Sequence, residues 1–376
     1  MLVPLIAVLF ALLTAEAALR IVTGRHETRD VAKRYHPTLG WEKTPNSVRT
    51  EDAAEFSICS LRNSRGLRGP EVPSEKPAGE FRVLMLGDSF LEGYTVRDEQ
   101  LVSTQLGNLS GMTTINAGTG GYSTDQQLLF YRQEGRRYSA DLVVVMFYDN
   151  DVCFKALRAD GDGPQKPLFV DKPDGLELTN VPVPRAIPVV EIPAERSHSL
   201  RQWLHGSSQL YVLLSARLKS IAVVQQAGIN GGWITPVPLP AHFEVYRELP
   251  LEPVKHSWKM TERILVALRD EVRSDGADLL VFAIPNLASV DAGVWDRTML
   301  KYDLDQTNWS PTLVEQTLGE ICKRQGITLV AAIEKFRAAS IAGEALYFPR
   351  DQHWTATGHA LAARMLADYL ASGATN

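Results

Sequence analysis

The chain has 376 residues, of which 45% are hydrophobic and 22% are charged, so it is long enough to bury a large core. Its net charge of -5 and its pI near 6.0 provide no overall basic surface, and nucleic-acid binding is therefore not favoured. The three cysteines, Cys59, Cys153 and Cys322, are far apart and odd in number. They match neither a metal-ligand spacing nor a disulfide framework. We expect buried free thiols, with a single disulfide between two of them as the alternative.

The chain begins with an uncharged apolar run, Met1 to Ala15. The run is shorter than the ~20 apolar residues of a spanning helix, but it suits the hydrophobic part of an export signal. Ala15-Glu16-Ala17 has the form of a signal-peptide cleavage site. The basic residues, however, all follow the apolar run, which favours a cytoplasmic location for the rest of the chain. We predict that residues 1–19 are a signal peptide or membrane anchor of a protein exported to the cell envelope. A buried N-terminal helix is the alternative.

Residues 20–79 are polar and rich in turn-forming stretches, and we predict a lead-in segment with little regular structure. From Arg82 onward, five short apolar runs predict buried strands. These are Arg82 to Leu86, Thr113 to Asn116, Leu142 to Tyr148, Leu279 to Pro285 and Ile327 to Ala332. Helical patterns lie between them or close the chain: Gln100 to Leu109, Thr124 to Glu134, Trp258 to Ser274, Pro311 to Gln325 and Thr355 to Ala371.

Strands separated by helices predict an α/β domain over residues 80–376, with a parallel sheet covered on both faces. Ligands of such sheets bind at the carboxyl ends of the strands. The stretch from about 154 to 251 interrupts the alternation. It is proline-dense from Pro164 to Pro193, has no clear strand signal there, and continues as a helical stretch from Leu200 to Val224. We predict an insertion that forms a cap over the site.

Gly87-Asp88-Ser89-Phe90 directly follows the first predicted strand of the sheet. A strand-to-helix turn exposes a serine hydroxyl where a histidine can activate it, and Asp88 can brace the turn through backbone N–H groups. Near the carboxyl end, Asp351-Gln352-His353 supplies a general base with a carboxylate two residues before it, which can orient the imidazole. Each motif alone also fits a structural turn. His359 is predicted to be a structural hydrogen-bonding residue.

Two further motifs follow predicted strands. Residues 116–123 carry three glycines that do not match a dinucleotide-binding spacing, and they suit either a flexible connector or a backbone N–H for an oxyanion. Asn150 follows the Leu142 to Tyr148 run and can donate an amide N–H to an oxyanion, although an ordinary turn has the same composition. We expect the neighbouring Asp149 to point out of the site, because a second negative charge there would oppose an oxyanion.

Taken in order, these motifs resemble the SGNH (GDSL-like) hydrolase family, in the branch found on bacterial cell-envelope proteins. The resemblance extends from about Gly66 to Leu370, apart from the insertion. It implies a three-layer flavodoxin-like SGNH fold with a mainly parallel five-stranded sheet. It also implies roles for five residues: nucleophile for Ser89, base for His353, orienting acid for Asp351, and oxyanion donors for Gly121 and Asn150, together with the Ser89 N–H.

The chain departs from the family pattern at three points. The third family motif, usually G-x-N-D, has Tyr148 at its glycine position here. The acid of many members stands three residues before the histidine, where this chain has Arg350, so the role passes to Asp351. The ending D-x-H-W-T is also that of O-acetyltransferase-like members.

The resemblance implies a serine esterase that cleaves an O-acyl ester, with acetyl as the expected group and a carbohydrate as the expected carrier, and that needs no metal or organic cofactor. An acylated small molecule or polysaccharide would be its substrate. The alternatives are an O-acetyltransferase acting on an envelope polysaccharide and a non-catalytic scaffold that binds glycans. The scaffold hypothesis requires Ser89 or His353 to be misplaced.

Overall fold

The computed structural model describes residues 4, 11–18, 33–153, 165–185, 208, 210–211 and 239–373. The chain divides into two compact units, one of Met1–Arg29 with Ile187–Pro238 and one of Asp30–Ala186 with Leu239–Asn376. Among the described residues, no helix has both the length and the apolar character needed to cross a membrane.

In the first unit, residues 11–18 are helical, and the Glu16 carboxylate accepts hydrogen bonds from the Ser208 hydroxyl and the Leu210 N–H. Most of the predicted leader or anchor, residues 1–19, lies outside the described residues. The same holds for the predicted helix from Leu200 to Val224, apart from residues 208, 210 and 211. Export and membrane attachment therefore stay predictions.

The second unit is built on the predicted five-stranded parallel sheet, which is confirmed. Its strands are β5 (Arg82–Gly87), β6 (Thr113–Asn116), β7 (Leu142–Phe147), β10 (Asp278–Ala283) and β11 (Thr328–Ala331). They lie in the spatial order β6-β5-β7-β10-β11, and every neighbouring pair is parallel. This is the flavodoxin-like order, in which β5 and β7 flank the point where the strand order reverses. Side chains that follow these two strands therefore share one crevice.

Helices cover both faces of this sheet. They are α1 (Ser89–Glu92), α2 (Val102–Ser110), α3 (Thr124–Gln133), α4 (Asn150–Cys153), α5 (Glu252–Ser274), α6 (Leu287–Val290), α7 (Ala292–Lys301), α8 (Leu313–Gln325), α9 (Ile333–Ile341) and α10 (Ala356–Ala371). Successive strand residues point to opposite faces. Leu84 of β5 accordingly joins the core under α3 and α5, whereas Val83 joins the core under α2 and α10. Burial on both faces explains why the strands read as continuous apolar runs.

The lead-in segment is not irregular, and its prediction is wrong for residues 33–61. Four strands form two antiparallel hairpins there, β1 (Lys33–His36) with β2 (Gly40–Lys43) and β3 (Val48–Asp52) with β4 (Ser57–Leu61). We call residues 33–68 the N-terminal arm. The arm meets the sheet through a bridge between Arg68 and Asn116 of β6.

The proline-dense stretch also contains a hairpin that sequence patterning missed. Strands β8 (Leu168–Lys172) and β9 (Gly175–Thr179) pair antiparallel. Of the cysteines, Cys322 is buried as expected and burial raises its pKa to about 12, whereas Cys59 is exposed, contrary to expectation. The side chain of Cys153 lies outside the described residues.

Candidate active site

Ser89 lies at the start of α1, immediately after the buried strand β5. The Asp88 carboxylate accepts the Phe90 N–H at 2.9 Å and caps the helix, as predicted for this motif. Gly87 is closely packed, since a β-carbon there would lie 3.0 Å from the β-carbons of Leu91 and Met146, which would have to shift. The sharp turn leaves Ser89 half-buried, while Asp88 and Phe90 are buried.

Ser89, His353 and Asp351 form a continuous hydrogen-bonded chain. The Ser89 hydroxyl lies 2.8 Å from Nε2 of His353. The other ring nitrogen, Nδ1, lies 2.9 Å from the Asp351 carboxylate, which also accepts the His353 N–H at 3.2 Å. A nucleophile, a base within reach of its proton and a carboxylate behind the base are the arrangement that general-base activation of serine requires.

Tyr94 adds a fourth group to this chain. Its hydroxyl donates to Oδ2 of Asp351 at 2.8 Å and lies 3.0 Å from Nδ1 of His353. Although burial raises the pKa of Asp351, hydrogen bonds from His353 and Tyr94 outweigh that effect and lower it below its usual value. Burial and the neighbouring carboxylate raise the pKa of Tyr94 above its usual range, so it stays a neutral donor. Asp351 is therefore held as a carboxylate facing the imidazole.

The loop that carries Asp351 and His353 is held by the N-terminal arm. The Glu55 carboxylate accepts the N–H groups of Arg350 and Asp351 at 3.0–3.2 Å. Phe56 packs against Tyr94 and Phe348, with ring centroids 5.9 and 5.2 Å away. The arm, the loop and Tyr94 thus form one packed unit on the Asp351 side of the imidazole.

The glycine-rich segment lies against α1. A β-carbon at Gly118 would stand 2.3 Å from the Glu92 nitrogen, so only glycine fits there. The Gly120 N–H donates to the Glu92 carboxylate at 2.7 Å, and a β-carbon on Gly120 would lie 3.8 Å from that of Ser89. Gly121 has a φ of +83°, a left-handed conformation that glycine adopts without strain. The segment therefore passes beside Ser89 with its backbone close to that side chain.

Glu92 is fully buried and surrounded by cations of the arm. It accepts hydrogen bonds from Arg62 at 2.7 Å and Arg49 at 3.1 Å. Burial raises its pKa, but Lys43, the two arginines and Lys33 outweigh that effect and lower it to about 2. Burial and the neighbouring arginines in turn lower the pKa of Lys43 to about 7, against the effect of Glu92.

Asn150 is fixed by the turn that carries Ser89. Its amide nitrogen donates to Oδ2 of Asp88 at 2.9 Å, which leaves its second amide N–H for another acceptor. The Asp149 side chain is only 1% exposed, and its Oδ2 atom accepts from Tyr246 and Asn286 at 2.8 Å. Burial raises the pKa of Asp149 despite these two hydrogen bonds. Its expected orientation away from the site stays a prediction.

One sequence-family model matches residues 247–375, and its description is SGNH hydrolase-like domain, acetyltransferase AlgX. The match includes Asp351 and His353. Residues 247–375 are therefore similar to an SGNH hydrolase-like domain. Ser89, Gly121 and Asn150 precede the matched residues, and the flavodoxin-like strand order joins them to the matched part in one sheet.

Solved structures with a similar fold include an acetyl xylan esterase, AlAXEase, at 12% identity over 77% of this chain and 100% of that one, with a TM-score of 0.40. A psychrotrophic esterase, EstA, from Pseudoalteromonas sp. has 12% identity over 79% and 100%, with a TM-score of 0.38. A GDSL-like lipase from Bacteroides thetaiotaomicron has 11% identity over 79% and 91%, with a TM-score of 0.38. Among curated proteins, no sequence matches this chain.

Three of the predicted site residues, Ser89, His353 and Asp351, are in hydrogen-bond contact. The other two, Gly121 and Asn150, lie in segments that contact the nucleophile turn through Gly120 and Asp88. Sequence analysis missed the residues that hold these groups: Trp41, Glu55, Glu92 and Tyr94. Glu92 and Tyr94 follow Ser89 closely in an otherwise apolar segment, and that is the one sequence signal that points to them.

Proposed function

We propose that the protein transfers an acyl group from an O-acyl ester to water through an acyl-serine intermediate on Ser89. The observation that carries this proposal is the hydrogen-bonded chain of Ser89, His353 and Asp351. Acetyl is the proposed acyl group, because the matched family model is described as an acetyltransferase. A carbohydrate ester is the proposed substrate, on the strength of the family resemblance.

In the first step, Nε2 of His353 takes the Ser89 proton while the serine oxygen bonds to the ester carbonyl carbon. The carbonyl electron pair moves to the oxygen, and the resulting tetrahedral oxyanion needs preorganised donors. The Ser89 N–H, the Gly121 N–H and the free amide N–H of Asn150 are the proposed donors. Collapse of this intermediate breaks the bond to the alcohol, which leaves with the proton from His353.

In the second step, His353 removes a proton from water, whose oxygen attacks the acyl-serine carbonyl. The second tetrahedral intermediate expels the Ser89 oxygen, which recovers its proton from His353, and the carboxylic acid leaves. Throughout, Asp351 stabilises the imidazolium across the 2.9 Å contact at Nδ1. Tyr94 keeps Asp351 ionised and correctly oriented.

A second candidate function is O-acetyl transfer, which differs only in the acceptor of the second step. A sugar hydroxyl in place of water would receive the acetyl group from Ser89. The description of the matched family model favours this candidate. The non-catalytic scaffold, by contrast, requires a misplaced Ser89 or His353, and the 2.8 Å contact between them argues against it.

The test is hydrolysis of 4-nitrophenyl acetate by the purified full chain and by Ser89→Ala and His353→Ala. We expect wild type to be active and both variants to lose at least ~1,000-fold in kcat. Ser110→Ala and His256→Ala are the matched controls, because Ser110 ends α2 and His256 is exposed on α5. Equal activity in all five proteins, or an inert wild type, would overturn the proposal.

Hydrolysis and transfer are distinguished with the same donor in the presence of a xylo-oligosaccharide. Free acetate and acetylated oligosaccharide are both measured by mass spectrometry. Acetate as the main product supports the esterase. Oligosaccharide acetylation faster than acetate release supports the transferase and rejects hydrolysis as the main reaction.

A further inference from the structure

Trp41 of β2 contacts the glycine-rich turn at the carbonyl group next to the proposed oxyanion donor. Its indole N–H donates to the Gly120 carbonyl oxygen at 3.2 Å. A β-carbon on Gly121 would lie 3.3 Å from Cζ2 of the same indole. The indole therefore lies directly against the peptide that joins Gly120 to Gly121.

Residues 119–122 form a β-turn, because the Tyr122 N–H donates to the Thr119 carbonyl at 3.0 Å. The φ of +83° at Gly121, the third residue, is the signature of a type II turn. Types I and II differ by a flip of the central peptide, which here is the Gly120–Gly121 peptide. In a trans peptide the C=O and N–H groups point in opposite directions. A bond to the Gly120 carbonyl therefore determines where the Gly121 N–H points.

The other backbone N–H groups of this turn are already engaged, that of Thr119 with the Gly87 carbonyl. The Gly120 N–H donates to Glu92 and the Tyr122 N–H to Thr119, whereas no hydrogen bond within the described part of the chain uses the Gly121 N–H. The Gly121 N–H is therefore the donor of this turn that is available to a ligand, and the bond from Trp41 to the Gly120 carbonyl determines its direction.

Trp41 is itself held rigidly. Its carbonyl accepts the Tyr122 hydroxyl at 2.6 Å, and the two rings meet edge to face with centroids 5.7 Å apart. Across the hairpin, Trp41 pairs with Tyr35 in the β1–β2 register. The indole thus reaches the turn from a strand that is tied to that turn a second time through Tyr122.

We propose that Trp41 is a positioning residue for the oxyanion site, which holds the turn in its type II form and thereby aims the Gly121 N–H at the reacting carbonyl. The inference rests on the proposed function of Ser89. Without the indole donor, the central peptide samples both orientations, and the oxyanion loses one donor for part of the time. The N-terminal arm is then a component of the active site.

The test compares wild type with Trp41→Phe, which keeps an aromatic ring but removes the N–H donor. Hydrolysis of 4-nitrophenyl acetate gives kcat and KM, and labelling of Ser89 by a phosphonate ester reports on a tetrahedral adduct that needs the same donors. Since one oxyanion donor is typically worth ~100–1,000-fold, a partly misdirected one should cost roughly 10–100-fold in kcat and in labelling rate. KM and Tm should stay close to those of wild type.

Two further variants serve as controls. Trp309→Phe makes the same substitution at a buried tryptophan that packs against Phe243, and it should leave kcat unchanged. Incorporation of 3-benzothienylalanine at position 41 keeps the bicyclic shape and removes only the N–H, so it should reproduce the loss even if Trp41→Phe folds poorly.

The outcomes separate this inference from the proposed function. If wild type is active, Ser89→Ala is inactive and the benzothienyl variant keeps full kcat, Trp41 has no positioning role although Ser89 stands as the nucleophile. An equal loss in Trp309→Phe would likewise overturn the inference. If wild type and Ser89→Ala are equally inert, the proposed function fails and the inference with it.

Discussion

Replacing Glu92 by glutamine tests the link between the N-terminal arm and the nucleophile turn. The carboxylate is fully buried and bonded to Arg62, Arg49 and the Gly120 N–H. Glutamine keeps the size and one acceptor oxygen but removes the charge. The surrounding cations then lose their buried partner. Leaving buried charges unpaired is strongly destabilising.

The magnitude follows from the pKa of Glu92, which lies at about 2 instead of 4.5. At about 1.4 kcal/mol per unit, the folded protein favours the charged form by roughly 3 kcal/mol. Because the pKa is lowered on folding, this stabilisation is complete above about pH 5 and is lost as the pH falls toward 2. For a domain of this size, 3 kcal/mol corresponds to a decrease in Tm of roughly 5–10 °C.

The assay is thermal unfolding, followed by circular dichroism, of wild type and Glu92→Gln between pH 3 and pH 8. The difference in Tm should be largest near pH 5–6 and shrink toward pH 3. It should also shrink above pH 7, where Lys43, with its pKa lowered to about 7, can lose its own charge. Glu262→Gln is the control, since Glu262 pairs with Arg324 at the surface, where ion pairs contribute about 1 kcal/mol at most.

Two results would refute this reasoning. One is a Glu92→Gln variant as stable as Glu262→Gln at pH 6. The other is a difference in Tm that does not change between pH 3 and pH 6, which would mean that loss of packing rather than loss of charge causes the destabilisation.

Three further predictions concern the groups around the site. Tyr94→Phe removes the hydroxyl that donates to Asp351 at 2.8 Å. Since a hydrogen bond to a charged group contributes ~1.5–3 kcal/mol, we expect kcat to decrease about tenfold at unchanged KM. Unchanged kinetics would contradict the role of Tyr94 in holding Asp351. Glu55→Gln leaves one acceptor oxygen for the two loop N–H groups and should lower the free energy of unfolding by about 0.5–1.5 kcal/mol, with a several-fold decrease in kcat. A loss of stability with full activity would show that the loop keeps its catalytic geometry without the Glu55 carboxylate. Gly118→Ala places a β-carbon 2.3 Å from backbone and should destabilise the fold by more than ~4 kcal/mol in a denaturant titration. Gly319→Ala, within α8, places its β-carbon 3.6 Å from the nearest atom and should stabilise the fold by up to ~1 kcal/mol. Equal effects of the two substitutions would contradict the packing argument.

The sheet was predictable because its strands are buried on both faces and read as short apolar runs. The predicted run from Leu142 to Tyr148 became β7, Leu142–Phe147, with a difference of one residue. The hairpins were not predictable in this way. Strand β3 reads Val-Arg-Thr-Glu-Asp, and its residues alternate between exposed and half-buried, so its pairing depends on backbone hydrogen bonds that leave no apolar pattern.

The short helices were not predicted from the sequence, for a different reason. Helix α6 has four residues, too few for a helical period to emerge. Its N-cap, Asn286, and that of α7, Asp291, are the sequence signals that were present. Both side chains accept a backbone N–H at the start of their helix.

Within the site, the motifs around Ser89 and His353, together with their order along the chain, led to these two residues. The residues that hold them could not be read in the same way. Glu55 acts on a loop 295 residues further along the chain, and Trp41 on a turn 79 residues away. Buried Arg62 and Arg68 look like surface residues in the sequence, and only their carboxylate and carbonyl partners explain their burial.

The most direct test of the central claim is to capture the acyl group on the enzyme. Wild type and Ser89→Ala are mixed rapidly with excess 4-nitrophenyl acetate, quenched in acid, digested and analysed by mass spectrometry. We predict one acetyl group on the peptide that contains Ser89 in wild type, none in Ser89→Ala, and slower accumulation in His353→Ala. Acetyl groups on other residues only, or equal acetylation of wild type and Ser89→Ala, would contradict the account.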